Sequence, residues 1–302
     1  MVVRHNAQQF NSRQGRSNHV AKFKKLMQVR LKDTLTNKEL QLLPTGFQQI
    51  GDKAILTLKP ELLKQKAVIA QEILDAFKIV KGVYLKIGGV VGEYRTPQIE
   101  FIRGEDNPEI IHKEHGISYK FDITKIMFSK GNINERKRIS DLVQPDEVIF
   151  DLFAGIGYFS LVIGLSRKPL KIYAFELNPV AYHYLVENIK LNKINEAREI
   201  IVPILGDSKA EALKIAEKAN RVIMGILPAS RDHIETVFKI IDDRAIIHYE
   251  GLIKEKEDPE DLLIDFEKKN KHHNRKIKLI NTTYVKSYGP KTYHITLDIL
   301  IS

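Results

Sequence analysis

The stretch Val148-Ile149-Phe150-Asp151-Leu152-Phe153-Ala154-Gly155-Ile156-Gly157 constrains the fold more than any other part of the chain. Apart from Asp151, Val148 to Phe153 is apolar on both faces, as a strand inside a parallel sheet must be. Two glycines follow, spaced to let backbone approach a ligand where a Cβ would clash, and a helix comes next. A dinucleotide fingerprint, G-x-G-x-x-G, needs a third glycine where Ser160 stands, and no G-x-x-x-x-G-K-[ST] occurs anywhere. Asp151 at the opening of the turn suits an ammonium or a ribose hydroxyl better than a pyrophosphate.

Two further acids follow in order. Glu176 closes Tyr173-Ala174-Phe175-Glu176 and can accept the hydroxyls of a ribose from the end of a second strand. Asp207, in Gly206-Asp207-Ser208 after a third strand, can meet an adenine amino group. Glycine turn, ribose acid and third-strand Asp form the layout of an S-adenosyl-L-methionine site. The fourth strand ends in Gly225-Ile226-Leu227-Pro228, beside the crevice where the reactive carbon should point.

Strand patterns recur at 172–175, 200–204, 221–224, 245–249, 277–285 and 293–301, with helical patterns between the first of them. Such alternation predicts a doubly wound, Rossmann-like α/β domain of the class I methyltransferase type over 130–302, its last two strands antiparallel at one edge. Ahead of it, strands near 49–58, 80–87, 98–103 and 117–122 and a helix opened by Pro60 predict a small α+β domain over 41–129, read as RNA-binding. Residues 130–146 read as a polar helical connector. Residues 1–40 form a basic arm, of which 1–20 are polar and expected to be mobile.

The chain has 302 residues, no cysteine and a net charge of +10. Thiolate metal sites and a disulfide-stapled fold are excluded. With no long apolar run or signal-like start, the expected setting is cytoplasmic, without a membrane span. Residues 1–30 carry Arg4, Arg13, Arg16, Lys22, Lys24, Lys25 and Arg30 and no acid, and a second basic cluster spans 268–278. Segregated positive charge favours a nucleic-acid partner. His112 and His115 lack the H-E-x-x-H spacing and a third ligand, so no metal is expected.

The chain resembles the superfamily that modifies guanosine 37 of tRNA, from about Leu42 to the C-terminus. The likeness rests on Gly92-Glu93-Tyr94-Arg95-Thr96-Pro97, Ile111-His112-Lys113-Glu114-His115-Gly116, Met127-Phe128-Ser129-Lys130-Gly131-Asn132, the Asp151–Gly157 loop, Ile247-His248-Tyr249 and Val285-Lys286-Ser287-Tyr288-Gly289-Pro290. One branch of that superfamily methylates N1 of guanine 37; the other transfers an aminocarboxypropyl group in wybutosine synthesis. Methyltransferases of the group resemble F-S-P-R where this chain has Phe128-Ser129-Lys130-Gly131, and N-L-P where it has Gly225-Ile226-Leu227-Pro228. Both differences look like the aminocarboxypropyl branch, while Leu227-Pro228 and His248-Tyr249-Glu250 keep a methyltransferase likeness. By the resemblance, Ser129, Arg136, Glu176, Asp207 and Ser208 contact the cofactor, and Asp151, Gly155 and Gly157 form the shared loop.

The resemblance implies transfer to C7 of 4-demethylwyosine at position 37 of tRNA(Phe), with the anticodon loop as partner and a monomeric enzyme. The protein must then choose, by orientation, which carbon of the sulfonium is attacked. Arg136 is the expected cation for the donor's carboxylate. The target base must leave its stack, and Tyr158, Phe159, Tyr249 and Tyr288 are the aromatic residues considered for receiving it, Phe159 being better read as core. An electron-rich tricyclic acceptor needs no strong base, so no catalytic side chain is assigned. Two other readings stay open: methylation of guanosine 37 or of the wyosine precursor, and a non-catalytic RNA-binding module.

Overall fold

A computed structural model describes the backbone from Arg13 to Ser302, with side chains from Lys22 onward apart from Lys130. Arg4 and most of the 1–20 segment lie outside the described residues. The chain divides into two compact units, 1–112 with 122–127, and 113–121 with 128–302.

The first unit carries a four-stranded sheet in the order β1 (Gln48–Ile50), β2 (Lys53–Leu56), β3 (Gly82–Val91), β4 (Thr96–Gly104). β2 and β3 are parallel, and the crossover between them contains α3 (Lys66–Ala76). Pro60 opens a 3₁₀ turn, Pro60–Gln65, ahead of that helix rather than the helix itself. α1 (Arg13–Arg30) and α2 (Asn37–Leu42) precede the sheet. Residues 23–35 do not stand apart as an arm. Met27, Leu31 and Leu35 are buried with Leu56, Ile69 and Val83 in one core, and Phe23, Phe47 and Phe77 pack ring on ring at 5.3–5.8 Å. Burial of these side chains outweighs the polar composition around them. α2 starts from a reciprocal cap, Thr36 accepting from the Glu39 N–H while the Glu39 carboxylate accepts from the Thr36 N–H.

Next along the chain, β5 (Glu109–Glu114) and β6 (Ile117–Asp122) form a two-stranded sheet. His115, at φ 48°, and Gly116, at φ 80°, make its turn.

The second unit is a seven-stranded sheet. Its strands are β7 (Val148–Asp151), β8 (Lys171–Glu176), β9 (Ile201–Leu205), β10 (Ala219–Met224), β11 (Ile241–Lys254), β12 (Ile277–Gly289) and β13 (Thr292–Ile301). They lie in the order β12-β13-β11-β10-β7-β8-β9. β7 to β11 are mutually parallel, and β13 runs antiparallel to both β11 and β12. The chain leaves β7 toward β8 and β9, then returns to the other side of β7 with β10. A ligand crevice forms at such a reversal, outside the carboxyl ends of the strands. The helices of this unit are α4 (Ile133–Leu142), α5 (Ser160–Leu165), α6 (Pro179–Leu191), α7 (Ser208–Glu211), α8 (Ile234–Ile240) and α9 (Ile264–Asn270).

The polar sequence of α4 predicts a solvated connector, but Glu135, Arg136, Ile139 and Ser140 are buried. What receives its polar side is a polar column in the sheet. His248, Glu250, Thr296 and Asp298 are all buried, and their register places His248 opposite Asp298 and Glu250 opposite Thr296. Arg138 reaches Asp298 at 2.6 Å and Glu135 at 2.7 Å. Arg221 holds Glu147 at 2.7 Å and His248 Nε2 at 2.7 Å. His248 Nδ1 lies 2.6 Å from Asp298. Burial alone would raise the Asp298 carboxyl, yet the bonds from His248 and Arg138 overrule it and hold it far below the usual range. Among the described residues no helix is long and apolar enough to cross a membrane, and no cluster of three His, Asp or Glu side chains is arranged to hold a metal ion.

Candidate functional site

The loop after β7 is tied on both sides. Leu152 N–H donates to Ile223 of β10 and Ala154 N–H to Phe175 of β8. Gly155 takes φ +58° and Gly157 φ +98°, conformations that L side chains rarely adopt. Added Cβ atoms would lie 2.5 Å from the Tyr158 ring and 2.6 Å from Leu161. Both glycines are required by shape as well as by backbone angle.

Asp151 is fully buried, and burial pushes its carboxyl up to about 7. Ser160 donates to its Oδ2 at 2.6 Å, while Oδ1 has no partner. Ser160 therefore stands where a dinucleotide fingerprint would have glycine because it is the hydrogen-bond partner of the acid that opens the turn. Glu176 receives the N–H of Gly155 on one oxygen and that of Asn178 on the other, each at 2.7 Å. Burial raises its pKa against those bonds. Each oxygen keeps a lone pair, so the carboxylate can still accept from hydroxyls.

Asp207 caps α7 through the Lys209 N–H and is exposed; Ser208 beside it is buried. His233 lies 3.9 Å from Asp207, with its ring centroid 4.7 Å from that of Phe153 in the glycine loop. His233 and Phe153 were not singled out from sequence, and no local motif marks either one.

On the other side, Arg136 is buried within three rings. Its guanidinium carbon lies 4.9 Å from the Tyr158 centroid, 5.1 Å from Phe128 and 6.0 Å from Tyr119. Nη1 donates to Glu114 at 2.7 Å and Nη2 to the Ser129 carbonyl at 2.8 Å; Nε has no partner. Arg136 is thus an internally paired group and not the free fork expected for a ligand carboxylate. Nothing in the local sequence around Glu114, between His112 and His115, marks it as the partner of a residue 22 positions away. The Ser129 hydroxyl accepts from Lys286 Nζ at 2.7 Å.

Of the predicted residues, Asp151, Gly155 and Gly157 belong to the loop and Glu176 bonds to it; Tyr158 lies between Gly155 and Arg136, which holds the Ser129 carbonyl, and Phe153 meets His233, the neighbour of Asp207. The aromatic residues divide differently. Tyr249 is fully buried against Phe266, centroids 5.0 Å apart, so it belongs to the core and cannot stack on a base. Phe159 is buried, as its core reading expects, and its ring is what a Cβ at Gly225 would meet at 2.8 Å. Tyr288 is half exposed.

Sheet order, glycine loop and strand-end acids define a class I methyltransferase-type domain with an S-adenosylmethionine site. The family model described as the TRM5/TYW2 methyltransferase domain matches residues 110–279, and a TYW2 N-terminal domain model matches 27–107. The chain belongs to the TRM5/TYW2 family. It is 39% identical to a tRNA(Phe) (4-demethylwyosine(37)-C(7)) aminocarboxypropyltransferase of Methanocaldococcus jannaschii, over 83% of this chain and 96% of that protein. It is 37% identical to tRNA (guanine(37)-N(1))-methyltransferase Trm5b of Pyrococcus abyssi, over 87% of this chain and 76% of that one. Among solved structures, P. horikoshii TYW2 in complex with MeSAdo superposes with a TM-score of 0.78 at 32% identity, covering 92% of this chain and 98% of that chain.

Proposed function

We infer that this protein transfers the 3-amino-3-carboxypropyl group of S-adenosylmethionine to C7 of 4-demethylwyosine at position 37 of tRNA(Phe). Overall identity cannot separate the two branches, since 39% and 37% differ too little. The observation that carries the choice is the match of residues 27–107 to the TYW2 N-terminal domain. Gly131, where the methyltransferase pattern has Arg, agrees with it.

Bound in this site, S-adenosylmethionine supplies a sulfonium whose γ-carbon can accept the C7 electron pair, with methylthioadenosine and the C7 proton as the leaving products. The chain's own residues do the positioning. Glu176 takes the ribose hydroxyls, and Asp207 with Ser208 the adenine edge. Gly155 and Gly157 keep the loop backbone close to the ligand. Asp151, buried with one unfilled oxygen, places negative potential beneath a cationic donor. Ser129 and Arg136 shape the end where the amino-acid arm lies. Orientation then decides which carbon meets the acceptor.

The acceptor base is drawn from the anticodon loop, as loop bases are the usual object of specific RNA recognition. Tyr288 is the exposed aromatic residue suited to stack on it, and the first unit grips the tRNA backbone. The enzyme acts as a cytoplasmic monomer without a metal. The test uses two preparations of S-adenosylmethionine, labelled in the methyl carbon or in the carboxyl carbon, with tRNA(Phe) carrying 4-demethylwyosine. Carboxyl label entering the tRNA supports the reading; methyl label entering instead assigns the chain to the methyltransferase branch.

A further inference from the structure

Of the cations that reach the polar column and the ring cluster around Arg136 among the described residues, three are already committed. Arg136 is paired with Glu114, Arg138 with Glu135 and Asp298, and Arg221 with Glu147. The fourth is Lys286 of β12. Its ammonium is half-buried and gives one of its three donors to a neutral hydroxyl, that of Ser129. Among the described residues it has no ion pair. Burial lowers its pKa, with Glu250 pulling it back up and Arg136 pushing it further down.

The reason Lys286 reaches Ser129 is a missing side chain. A Cβ at Gly131 would stand 2.5 Å from Lys286 Cδ and 2.9 Å from its Nζ. Gly131 has no positive φ to explain it, so the space for the lysine is its structural reason. Buried polar atoms around the same place are unfilled: Asn132 Oδ1, Arg136 Nε and Glu250 Oε1 have no hydrogen-bond partner. Groups of this kind cost stability unless something fills them. Two unused cationic donors beside two unused acceptors match a zwitterion, which brings a carboxylate for the first and an ammonium for the second.

We propose that Lys286, lodged over Gly131 and bonded to Ser129, receives the carboxylate of the amino-acid arm of S-adenosylmethionine, and that the bare Gly131 makes this possible. The proposal rests on the cofactor reading above. It gives this chain a way to fix the arm that is transferred, by anchoring the end of that arm remote from the sulfur. A residue with a side chain at 131 would displace the lysine and free the arm.

The experiment measures, by calorimetry, the affinities of S-adenosylmethionine and of methylthioadenosine, which lacks the amino-acid arm. Lys286→Met is expected to weaken S-adenosylmethionine roughly tenfold to a hundredfold, the range for one charge-assisted hydrogen bond. Methylthioadenosine should bind as before. Gly131→Ala should reproduce the pattern without touching the lysine chemically. Equal loss for both ligands, or no loss for either, overturns the role assigned to Lys286. A wild-type protein that binds neither ligand overturns the cofactor reading on which it stands.

Discussion

Removing the carboxylate beneath Arg136 probes how the site is built. Glu114→Ala deletes the acceptor of Arg136 Nη1 at 2.7 Å, and the two side chains are only 2% and 4% exposed. The guanidinium cannot turn to water without leaving the Phe128 and Tyr158 rings. It keeps one bond, to the Ser129 carbonyl. Breaking a buried pair by removing one partner costs about 3–5 kcal/mol, because the remaining charge is left uncompensated. For a unit of this size each kcal/mol moves Tm by about 2–4 °C, so a fall on the order of 10 °C is expected in the transition of the larger unit. Scanning calorimetry reads it. The double variant Glu114→Leu, Arg136→Met removes the charge with its partner and should recover most of the loss. A single variant whose Tm stays within about 2 °C of wild type would mean that the charge is hydrated and the pair stabilises little.

Other outcomes follow from the loop and its surroundings. Asp151 has a folded pKa of about 7, above its ordinary 3.8. Its contribution to stability is therefore complete below about pH 4 and is lost as pH rises through 7. In Asp151→Asn that decline, on the order of 1.4 kcal/mol per pH unit at its steepest, should vanish from chemical denaturation curves; an unaltered pH profile contradicts the assignment. Gly157→Ala forces a Cβ to 2.6 Å from Leu161 at φ +98°; thermal melts should show a loss of about 1–3 kcal/mol, and calorimetry a loss of S-adenosylmethionine binding, whereas wild-type values in both would show the loop to be adaptable. Tyr288→Ala should weaken tRNA binding by about 1–3 kcal/mol in filter or gel assays if the ring stacks on a base, with S-adenosylmethionine affinity unmoved; unchanged tRNA affinity removes Tyr288 from the interface.

The parallel sheet and its glycine loop were legible in the sequence because burial on both faces leaves an unbroken apolar run, and because Gly155 and Gly157 mark positive φ. The positions of Glu176 at the end of β8 and Asp207 just after β9 follow from the spacing of the strand patterns. The α4 segment misled for the opposite reason. Its Arg136, Arg138 and Glu135 look solvated in one dimension, and only the column of His248, Glu250, Thr296 and Asp298 from strands more than a hundred residues away buries them. Tyr249 is a stacking candidate from sequence because a tyrosine in a strand carries no sign that Phe266 will cover it. Gly131 was legible as a departure from a pattern, but its purpose was not, since Lys286 lies 155 positions further along the chain and meets it only through the antiparallel edge of the sheet.

The small product shows whether the amino-acid arm or the methyl group is transferred. Purified protein is incubated with S-adenosylmethionine and tRNA(Phe) carrying 4-demethylwyosine, and the nucleoside released is identified by mass spectrometry. Methylthioadenosine, formed in step with loss of 4-demethylwyosine from the tRNA, is the predicted result, since the arm's orientation selects the γ-carbon. S-adenosylhomocysteine in its place would contradict the claim and make the chain a methyltransferase.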